Sequence, residues 1–352
     1  MPPQTARTLI QPSPSSKTPA DLTLLLHQAI PTPTPSKTNH DHLIHVHACS
    51  PCKNELLWPH SFPPPHPRAL IPCPDVSGTV VSAPPDSPFP PGSEIYARTN
   101  YSRPGNARDY TIARTEELAL MPRGLGMGWV GAAAVPVSAE TAWQVLFVQA
   151  GVVVRPQDGD EDEGVVVERA RMAWSGKRIL VTGAAGSVGM WVVQIAVGVL
   201  GLEVVGVCGG EEKAGLVRGL GAREVVDYNR AGGVKGWVEG GGGKVDVVVD
   251  CVGGRALRDA WWVVKDGGTV VSIVQPPGEV CPWSERRGVK EVFFVMQPSG
   301  KQLGMITRWI EEGKCRGLVD SVWPLERFRD AFERLESGLA CGKVVLDLSL
   351  NQ

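Results

Sequence analysis

The feature that most constrains this chain is a short apolar run that leads into a glycine turn and then into a helical stretch. Arg178 to Thr182 reads RILVT, Gly183 to Gly189 reads GAAGSVG, and Met190 to Leu200 is apolar and compatible with a helix. Small residues let the backbone approach a pyrophosphate, and the N–H groups and positive dipole end of the helix stabilise its charge. A G-x-x-G-x-x-G string alone is a weak indication, because glycine turns also simply reverse a chain. Its place between a strand and a helix favours dinucleotide binding, with cofactor contacts at Gly183, Ala184, Gly186, Ser187, Val188 and Gly189.

After this turn, strand-like and helix-like segments alternate. Strands are predicted at Leu202–Cys208, Glu224–Asp227, Val245–Asp250 and Thr269–Val274, and helices at Ala214–Leu220 and Arg255–Val264. This alternation predicts an α/β fold with a doubly wound, Rossmann-type parallel sheet. Ligands bind beyond the carboxyl ends of such strands, which makes Cys251 and Ser272 candidate cofactor-lining residues, although each is equally compatible with a tight turn.

The end of the second strand bears on the choice between NADPH and NADH. An NAD-binding unit normally has an acidic residue about 20 residues beyond the glycine turn, whereas this strand ends in Cys208-Gly209-Gly210. Without that carboxylate a 2′-phosphate is acceptable, and Lys213 is near enough in sequence to supply a cation. Glu211 and Glu212 could instead bind ribose hydroxyls, or simply open a solvated helix. The sequence therefore favours NADPH.

Length and composition set the broad class. A chain of 352 residues exceeds the roughly 250 to 300 residues at which one core stops growing, so two domains are expected. Prolines crowd residues 2 to 136 and separate short apolar stretches, as is typical of irregular β structure. The net charge of -2 implies no nucleic-acid partner, and the apolar runs are too short to span a membrane. Eight scattered cysteines do not indicate a disulfide framework, so we expect a cytoplasmic protein.

Several stretches together resemble the zinc-independent quinone-oxidoreductase branch, which includes enoyl reductases, of the medium-chain dehydrogenase/reductase superfamily. Besides GAAGSVG, they include GLGAREVVDY, DVVVDCVGG, DGGTVVS and the terminal GKVVL in the second half, and IPCPDVSGTVV and TAWQVLF in the first. The likeness covers nearly the whole chain. One departure is the stretch from Val153 to Trp174, which contains the acidic run Asp158 to Glu163 and which we interpret as an exposed loop.

The resemblance implies a GroES-like β-rich substrate domain formed by both ends of the chain, residues 1–134 and 313–352, with the Rossmann domain inserted as residues 135–312. It places the nicotinamide in the cleft between them, with Thr141 beside it. It also implies that Lys213 and Tyr228 contact the 2′-phosphate and that Lys343 of GKVVL belongs to the cofactor site, although Gly209-Gly210 replaces the usual serine or threonine. A homodimer is a candidate assembly, because members of the family commonly form dimers.

Zinc-dependent relatives hold a catalytic metal with a Cys, a Gly-His-Glu segment and a later acid or Cys. Here Cys73-Pro74-Asp75 stands in place of Gly-His-Glu, and the four closely spaced cysteines of a structural zinc site are missing. His45 and His47 fit the polar face of a half-buried strand better than a metal site. Cys49 and Cys52 have redox-pair spacing but not the helix start that activates such a thiol. We predict no metal.

The expected chemistry is direct hydride transfer from NADPH to a small electrophilic substrate, a quinone or an α,β-unsaturated carbonyl. No sequence pattern identifies the proton donor, for which Tyr101 and Asn54 are the catalytic candidates. Two alternatives stay open: a zinc-free carbonyl reductase or alcohol dehydrogenase, which would share every motif, and a non-catalytic NADPH-binding protein.

Overall fold

The computed structural model describes residues 6–25, 33–36, 40–124, 127–150, 163–282 and 288–350. The chain divides into two compact units. The β-rich unit comprises residues 1–140, 297–312 and 316–352, and the central unit comprises residues 141–296 and 313–315. Segments from both halves of the chain thus belong to the β-rich unit.

The N-terminal part of the β-rich unit contains mainly strands. They are β1 (Thr8–Ile10), β2 (Thr23–Leu25), β3 (Asp41–Ser50), β4 (Asp75–Ser82), β5 (Glu94–Arg98), β6 (Tyr110–Arg114) and β7 (Leu118–Leu120). The helices here are α1 (Trp58–Ser61), α2 (Trp129–Ala133) and α3 (Pro136–Gln144), of which the last crosses into the central unit.

The central unit alternates helices and strands. In chain order they are α4 (Glu163–Trp174), β8 (Arg178–Thr182), α5 (Ser187–Gln194), β9 (Glu203–Cys208), α6 (Glu211–Gly219), β10 (Glu224–Asp227), α7 (Gly233–Trp237), β11 (Val245–Asp250), α8 (Gly254–Ala260), β12 (Val264–Ser272) and β13 (Lys290–Phe293). The chain then returns through α9 (Gly300–Glu311), β14 (Val319–Pro324), α10 (Phe328–Glu336) and β15 (Lys343–Asp347).

The six strands of the central unit form one parallel sheet in the order β10-β9-β8-β11-β12-β13. This is the 3-2-1-4-5-6 order of a Rossmann sheet, in which the strand order reverses at β8. Its central strands are continuous apolar runs because helices cover both faces of such a sheet. Leu180, Val205, Val248, Trp261 and Val270 belong to its buried core.

The β-rich unit is built on a sheet in the order β14-β15-β3-β4-β5-β7, with β6 also paired to β3. Its core includes Ile44 of β3, Val76 of β4, Phe332 of α10 and Val344 of β15. Residues from both ends of the chain therefore share one hydrophobic core. Burial of such side chains contributes roughly 25 cal/mol per Å² of apolar surface.

Helix α9 groups with the β-rich unit, whereas the sequence-based boundary placed residues up to 312 in the Rossmann domain. The reason is close packing on β7: a Cβ at Gly300 would lie 2.2 Å from the carbonyl oxygen of Leu118. The Tyr96 hydroxyl of β5 also hydrogen-bonds the Thr307 hydroxyl at 2.8 Å.

The interpretation of Val153 to Trp174 as an exposed loop is wrong for its second half, which is helix α4. Val166, Ala170 and Trp174 are buried and recur every four residues, so they form one helical stripe. The Trp174 indole N–H donates to the carbonyl of Leu146 at 3.0 Å. The acidic residues 158–162 lie outside the described residues.

Candidate functional site

The glycine turn joins β8 to α5, as predicted, and its geometry depends on glycine at two places. Gly183 has a φ of +62°, a left-handed conformation that glycine adopts without strain. Gly189 packs so closely on this turn that a Cβ there would lie 2.2 Å from the Gly183 carbonyl oxygen. The Gly186 N–H donates to the same carbonyl at 2.8 Å. The turn is therefore compact and lies at the start of α5, where a helix can hold an anion.

Ala184 ties this turn to the neighbouring strand, because its N–H donates to the carbonyl of Val207 at 3.0 Å. Ser187 and Val188 open helix α5 within the same segment. The structure thus brings together all six residues that the glycine pattern singled out, at the carboxyl edge of the sheet beside the point where the strand order reverses. Their contacts with a cofactor stay a prediction.

A buried carboxylate, which the sequence reasoning missed, joins the ends of three strands. Asp250 at the end of β11 accepts hydrogen bonds from the hydroxyls of Thr182 at 2.6 Å and Ser272 at 2.9 Å. It also accepts the Gly253 N–H at 3.0 Å. A polar residue that ends an otherwise apolar run, VDVVVD, was the available signal. Asp250 therefore fixes the edge of the sheet where the glycine turn lies.

The two predicted cofactor-lining residues lie on this edge. The Ser272 side chain is fully buried, and its oxygen also accepts the N–H of Val274 at 3.1 Å. The Cys251 N–H donates to the Thr182 hydroxyl at 3.1 Å, and burial raises the pKa of the Cys251 thiol. The Ser272 side chain thus has a structural role, and the Cys251 thiol, whose pKa is raised, is not activated as a nucleophile.

At the end of β9, the side chain of Tyr228 packs against Gly209. A Cβ on Gly209 would lie 2.5 Å from the hydroxyl oxygen of Tyr228, so glycine is what permits Tyr228 to lie there. Tyr228 itself is 59% exposed, which leaves its ring available to a ligand. Tyr228 can therefore lie at this position only because Gly209 has no side chain.

Two of the charged side chains near the end of β9 are engaged by neighbouring residues, and a third could bind a ligand. The Asp227 carboxylate accepts the Asn229 N–H at 2.9 Å, and this hydrogen bond, with a second from the Gly210 N–H, lowers its pKa. Glu211 is exposed and pairs with Arg218 at 2.6 Å. Lys213, half-buried in the first turn of α6, has no ion-pair partner in the described part of the chain. Lys213 is therefore the cation that a phosphate could use.

The residues predicted to act on the substrate have different surroundings. Thr141 lies buried in α3 and belongs to the central unit. Asn54, in the β-rich unit, has a φ of +61°, and its N–H donates to a Glu336 oxygen at 2.7 Å. The Tyr101 hydroxyl, in the same unit, donates to the Phe62 carbonyl at 3.1 Å. Their catalytic roles stay predictions.

Lys343, predicted as a cofactor contact, lies inside the β-rich unit. Its ammonium is 2.9 Å from an oxygen of Asp75 and donates to the Pro51 carbonyl at 3.1 Å, and its side chain is only 4% exposed. Burial lowers the pKa of Lys343, but the charge and hydrogen bond of Asp75, together with Cys52 and Glu55, raise it overall. The structure therefore gives Lys343 an ion-pair partner from β4 in the sheet.

The β-rich unit also buries charged groups that were not identified from the sequence. Glu140 accepts the Ser299 N–H at 2.7 Å, and burial raises the pKa of its carboxyl well above the usual range. Arg98 is 6% exposed, and burial lowers its pKa. The charges of Glu140 and Asp75 oppose that lowering. Only the fold could reveal this cluster, because its members come from distant segments.

The histidines and cysteines considered as metal or redox groups have local partners. The His47 ring stacks on Trp129 with 4.2 Å between centroids and hydrogen-bonds the Thr79 hydroxyl at 3.0 Å. Cys49 and Cys52 are free thiols, and burial raises the pKa of Cys52 to about 12. Among the described residues, no group of three or more His, Cys, Asp or Glu side chains is placed to hold a metal ion.

Comparison with known proteins identifies the family. A family model described as zinc-binding dehydrogenase matches residues 220–346. A probable zinc-binding oxidoreductase, mitochondrial, of Arthroderma benhamiae is 44% identical over 346 residues, which cover 98% of this chain and 97% of the relative. An NADPH-dependent alkenal/one oxidoreductase, chloroplastic, of Arabidopsis thaliana is 33% identical over 80% of this chain and 64% of its own length.

Solved structures agree on the fold. A putative zinc-dependent alcohol dehydrogenase from Rhizobium etli aligns with a TM-score of 0.81 at 24% identity, covering 99% of both chains. The quinone oxidoreductase from Coxiella burnetii aligns with a TM-score of 0.75 at 20% identity, covering 97% of this chain and 99% of that one. No described helix is long and apolar enough to cross a bilayer. This chain belongs to the medium-chain dehydrogenase/reductase superfamily of oxidoreductases and is a quinone-oxidoreductase-like member of it.

Proposed function

We propose that this oxidoreductase uses NADPH to reduce an electron-poor carbon of a quinone or an α,β-unsaturated carbonyl, with an enoyl reductase of secondary metabolism as one form of this activity. The observation that carries the proposal is the geometry of the glycine turn in the central unit. A compact glycine turn at the start of α5 lies beside β9, which ends at Cys208 and is followed by Gly209-Gly210. Tyr228 lies against Gly209, and Lys213 follows in the first turn of α6. The name of the 33% identical plant relative, an NADPH-dependent alkenal/one oxidoreductase, supports the same substrate class.

The residues of this chain would hold the cofactor and position the reaction. The turn from Gly183 to Gly189 would bind the pyrophosphate through backbone N–H groups, and Lys213 with Tyr228 would bind the 2′-phosphate. When bound, NADPH supplies the hydride. Thr141, from the same unit, is proposed to orient the nicotinamide ring. The proton donor is not assigned, and Tyr101 is a weaker candidate because its hydroxyl already donates to the Phe62 carbonyl.

Steady-state assays with NADPH distinguish this proposal from the two alternative functions, a zinc-free carbonyl reductase and a non-catalytic NADPH-binding protein. We expect NADPH oxidation with quinones and enones and little with simple ketones. Faster turnover of simple ketones would favour the zinc-free carbonyl reductase. Tight NADPH binding with no turnover of any electrophile would favour a non-catalytic NADPH-binding protein.

Replacing Lys213 with alanine should weaken NADPH binding selectively. Loss of one charge-assisted contact with a phosphate should cost about 1.5 to 3 kcal/mol, or roughly 10- to 150-fold in affinity, while NADH binding stays unchanged. Titration followed by nucleotide fluorescence measures both affinities. Lys235→Ala is the matched control, because this exposed lysine pairs with Glu239 away from the turn. Equal losses for the two cofactors would remove Lys213 from the phosphate site.

We also propose that the reaction needs no zinc, although the family model and the fungal relative carry zinc in their names. The support is chemical: the Pro74 side chain has no metal-binding atom, and the Asp75 carboxylate is paired with the ammonium of Lys343 at 2.9 Å. Purified enzyme should contain well under one zinc per chain and keep its activity after prolonged chelation. Stoichiometric zinc by elemental analysis, with activity lost to chelator and restored by zinc, would contradict this.

Location and assembly also remain proposals. We propose a cytoplasmic enzyme that forms a homodimer and has neither nucleic-acid nor membrane partners. The fungal relative is named as mitochondrial, so cell fractionation of the full-length protein decides between the two compartments.

A further inference from the structure

Asp75 begins strand β4, and its buried carboxylate joins several elements of the β-rich unit. One oxygen lies 2.9 Å from the ammonium of Lys343 in β15, and the other accepts the Val137 N–H of α3 at 2.7 Å. Arg98 of β5 is its cross-strand neighbour. Asp75 is therefore a junction at which a strand pair, a buried cation and the start of a helix meet.

The Val137 N–H is a donor that the helix itself does not satisfy. Helix α3 begins at Pro136, and the first N–H groups of a helix have no acceptor within the helix. Proline has no N–H, so Val137 carries the first donor of α3. The positive end of the helix dipole also favours a negative charge at this place. The Asp75 carboxylate thus holds the first turn of α3 as a capping side chain does, although it comes from a distant strand.

The partners of Asp75 favour its ionised form. Burial raises the pKa of Asp75, whereas the Lys343 ammonium, the Val137 N–H and the charge of Arg98 oppose that rise. A hydrogen bond to an ionised acceptor is about twice as strong as one between neutral groups. The ion pair with Lys343 therefore also strengthens the hold of Asp75 on α3.

Helix α3 also carries Thr141, the residue proposed above to orient the nicotinamide ring. Thr141 follows Val137 by four residues, so the two lie on one side of the helix, about 6 Å apart along its axis. Between them, Glu140 accepts the N–H of Ser299 at 2.7 Å, which is a second tether of α3. The position of Thr141 thus depends on contacts made by the first turn of α3, and the Asp75 hydrogen bond is the one at its start.

We propose that Asp75 is a positioning residue for hydride transfer, which fixes the first turn of α3 and through it the place of Thr141. The inference rests on the proposed function, in which Thr141 orients the nicotinamide. Asp75 acts at a distance, because it is fully buried and its oxygens face Lys343 and Val137. A misplacement of about 1 Å can slow an enzymatic reaction about 100-fold, so a small shift of α3 is sufficient.

Two double variants separate this role from the stability of the ion pair. Both carry Lys343→Met, so neither leaves one charge of the pair buried alone. Asp75→Asn keeps an oxygen for the Val137 N–H, whereas Asp75→Val fills the space with a side chain that has no acceptor. Each double variant, and the wild-type protein, is compared with its Thr141→Ala derivative. The measurements are kcat/KM with NADPH and cyclohexenone, and the fluorescence of bound NADPH without substrate.

Thr141→Ala should lower kcat/KM by about tenfold in the wild-type protein and in the Asp75→Asn background. In the Asp75→Val background most of this factor should already be lost, and Thr141→Ala should lower kcat/KM by less than about twofold more, because both changes affect one interaction. The fluorescence of bound NADPH should respond in the same way, with a change on Thr141→Ala in the first two backgrounds only. A purely structural role would reduce the stability of the Asp75→Val variant and leave the tenfold factor intact.

An equal effect of Thr141→Ala in the two double variants would overturn the positioning role of Asp75 and leave the proposed reaction intact. If enones are not reduced at all, the proposed reaction fails instead, and the fluorescence of bound NADPH still decides whether Asp75 acts through Thr141. No change on Thr141→Ala in the wild-type protein, by either measurement, would overturn the role of Thr141 and with it that of Asp75. Asp75→Ala with Lys343→Met, which also lacks the acceptor, replaces the Asp75→Val variant if that variant fails to fold.

Discussion

Replacing Lys343 with methionine is expected to lower the free energy of unfolding of the enzyme by about 3 to 5 kcal/mol. The ammonium of Lys343 lies 2.9 Å from Asp75, and the two side chains are 4% and 0% exposed. Removing the lysine leaves a buried carboxylate with a hydrogen bond from the Val137 N–H at 2.7 Å but without its counter-charge. Chemical denaturation followed by circular dichroism measures the loss.

Two control variants distinguish the effect of leaving a buried charge unpaired from the effect of losing any lysine. Lys265→Met removes an exposed ion pair with Asp246 at 3.0 Å and should cost no more than about 1 kcal/mol. The double variant Asp75→Asn with Lys343→Met removes both charges and keeps an oxygen for the Val137 N–H, so it should recover much of the stability. If Lys343→Met were no worse than Lys265→Met, the pair would not be a main support of the sheet.

The strands of the central unit could be predicted closely, because their boundaries are marked locally. Arg178–Thr182, Glu224–Asp227 and Val245–Asp250 have the observed limits, since each is an apolar run that ends at a polar or glycine residue. The predicted strand Thr269–Val274 is instead Val264–Ser272. It starts early because Val264 pairs with Val245, a partner that only the folded sheet supplies.

The start of helix α5 was also predicted only approximately. The prediction began at Met190, where the apolar run begins, whereas the helix begins at Ser187 and continues as a wider turn over Ile195–Val199. The last residues of the glycine turn, Ser187 to Gly189, thus also form the first turn of the helix. The helix within Val153 to Trp174 was missed because the acidic run Asp158 to Glu163 led us to interpret the whole stretch as a loop, although Val166, Ala170 and Trp174 form a buried stripe.

The candidate site could be predicted only where it consists of one continuous segment. The glycine turn is such a segment, and its six residues were identified together. Asp250 was missed because its role depends on hydroxyls at the ends of two other strands. Lys343 was assigned to the cofactor through its motif, but its partner Asp75 lies in β4 near the other end of the chain, and no local pattern joins them. Burial and pairing of charges are decided by tertiary contacts.

Replacing Gly189 with alanine should both destabilise the central unit and weaken NADPH binding at least about tenfold. A Cβ at this position would lie 2.2 Å from the Gly183 oxygen, 2.8 Å from the Gly183 carbon and 2.9 Å from the Ala184 Cα. All three atoms are backbone, so the turn itself must move, and overpacking of this kind typically costs about 1 to 3 kcal/mol. NADPH affinity and the stability of the central unit should therefore decrease together.

Two other glycines make this prediction specific. A Cβ at Gly215, inside α6, would meet nothing within 4 Å, so Gly215→Ala should leave NADPH affinity unchanged and raise stability by up to about 1 kcal/mol, as expected of alanine in a helix. A Cβ at Gly186 would lie 3.1 Å from the Gly183 oxygen, a contact that a small shift relieves, so Gly186→Ala should weaken binding with little change in stability. Thermal melting and NADPH titration of the three variants give the ranking. Wild-type affinity and melting temperature in Gly189→Ala would mean that the turn tolerates a methyl group and that its tight approach is not what positions the pyrophosphate.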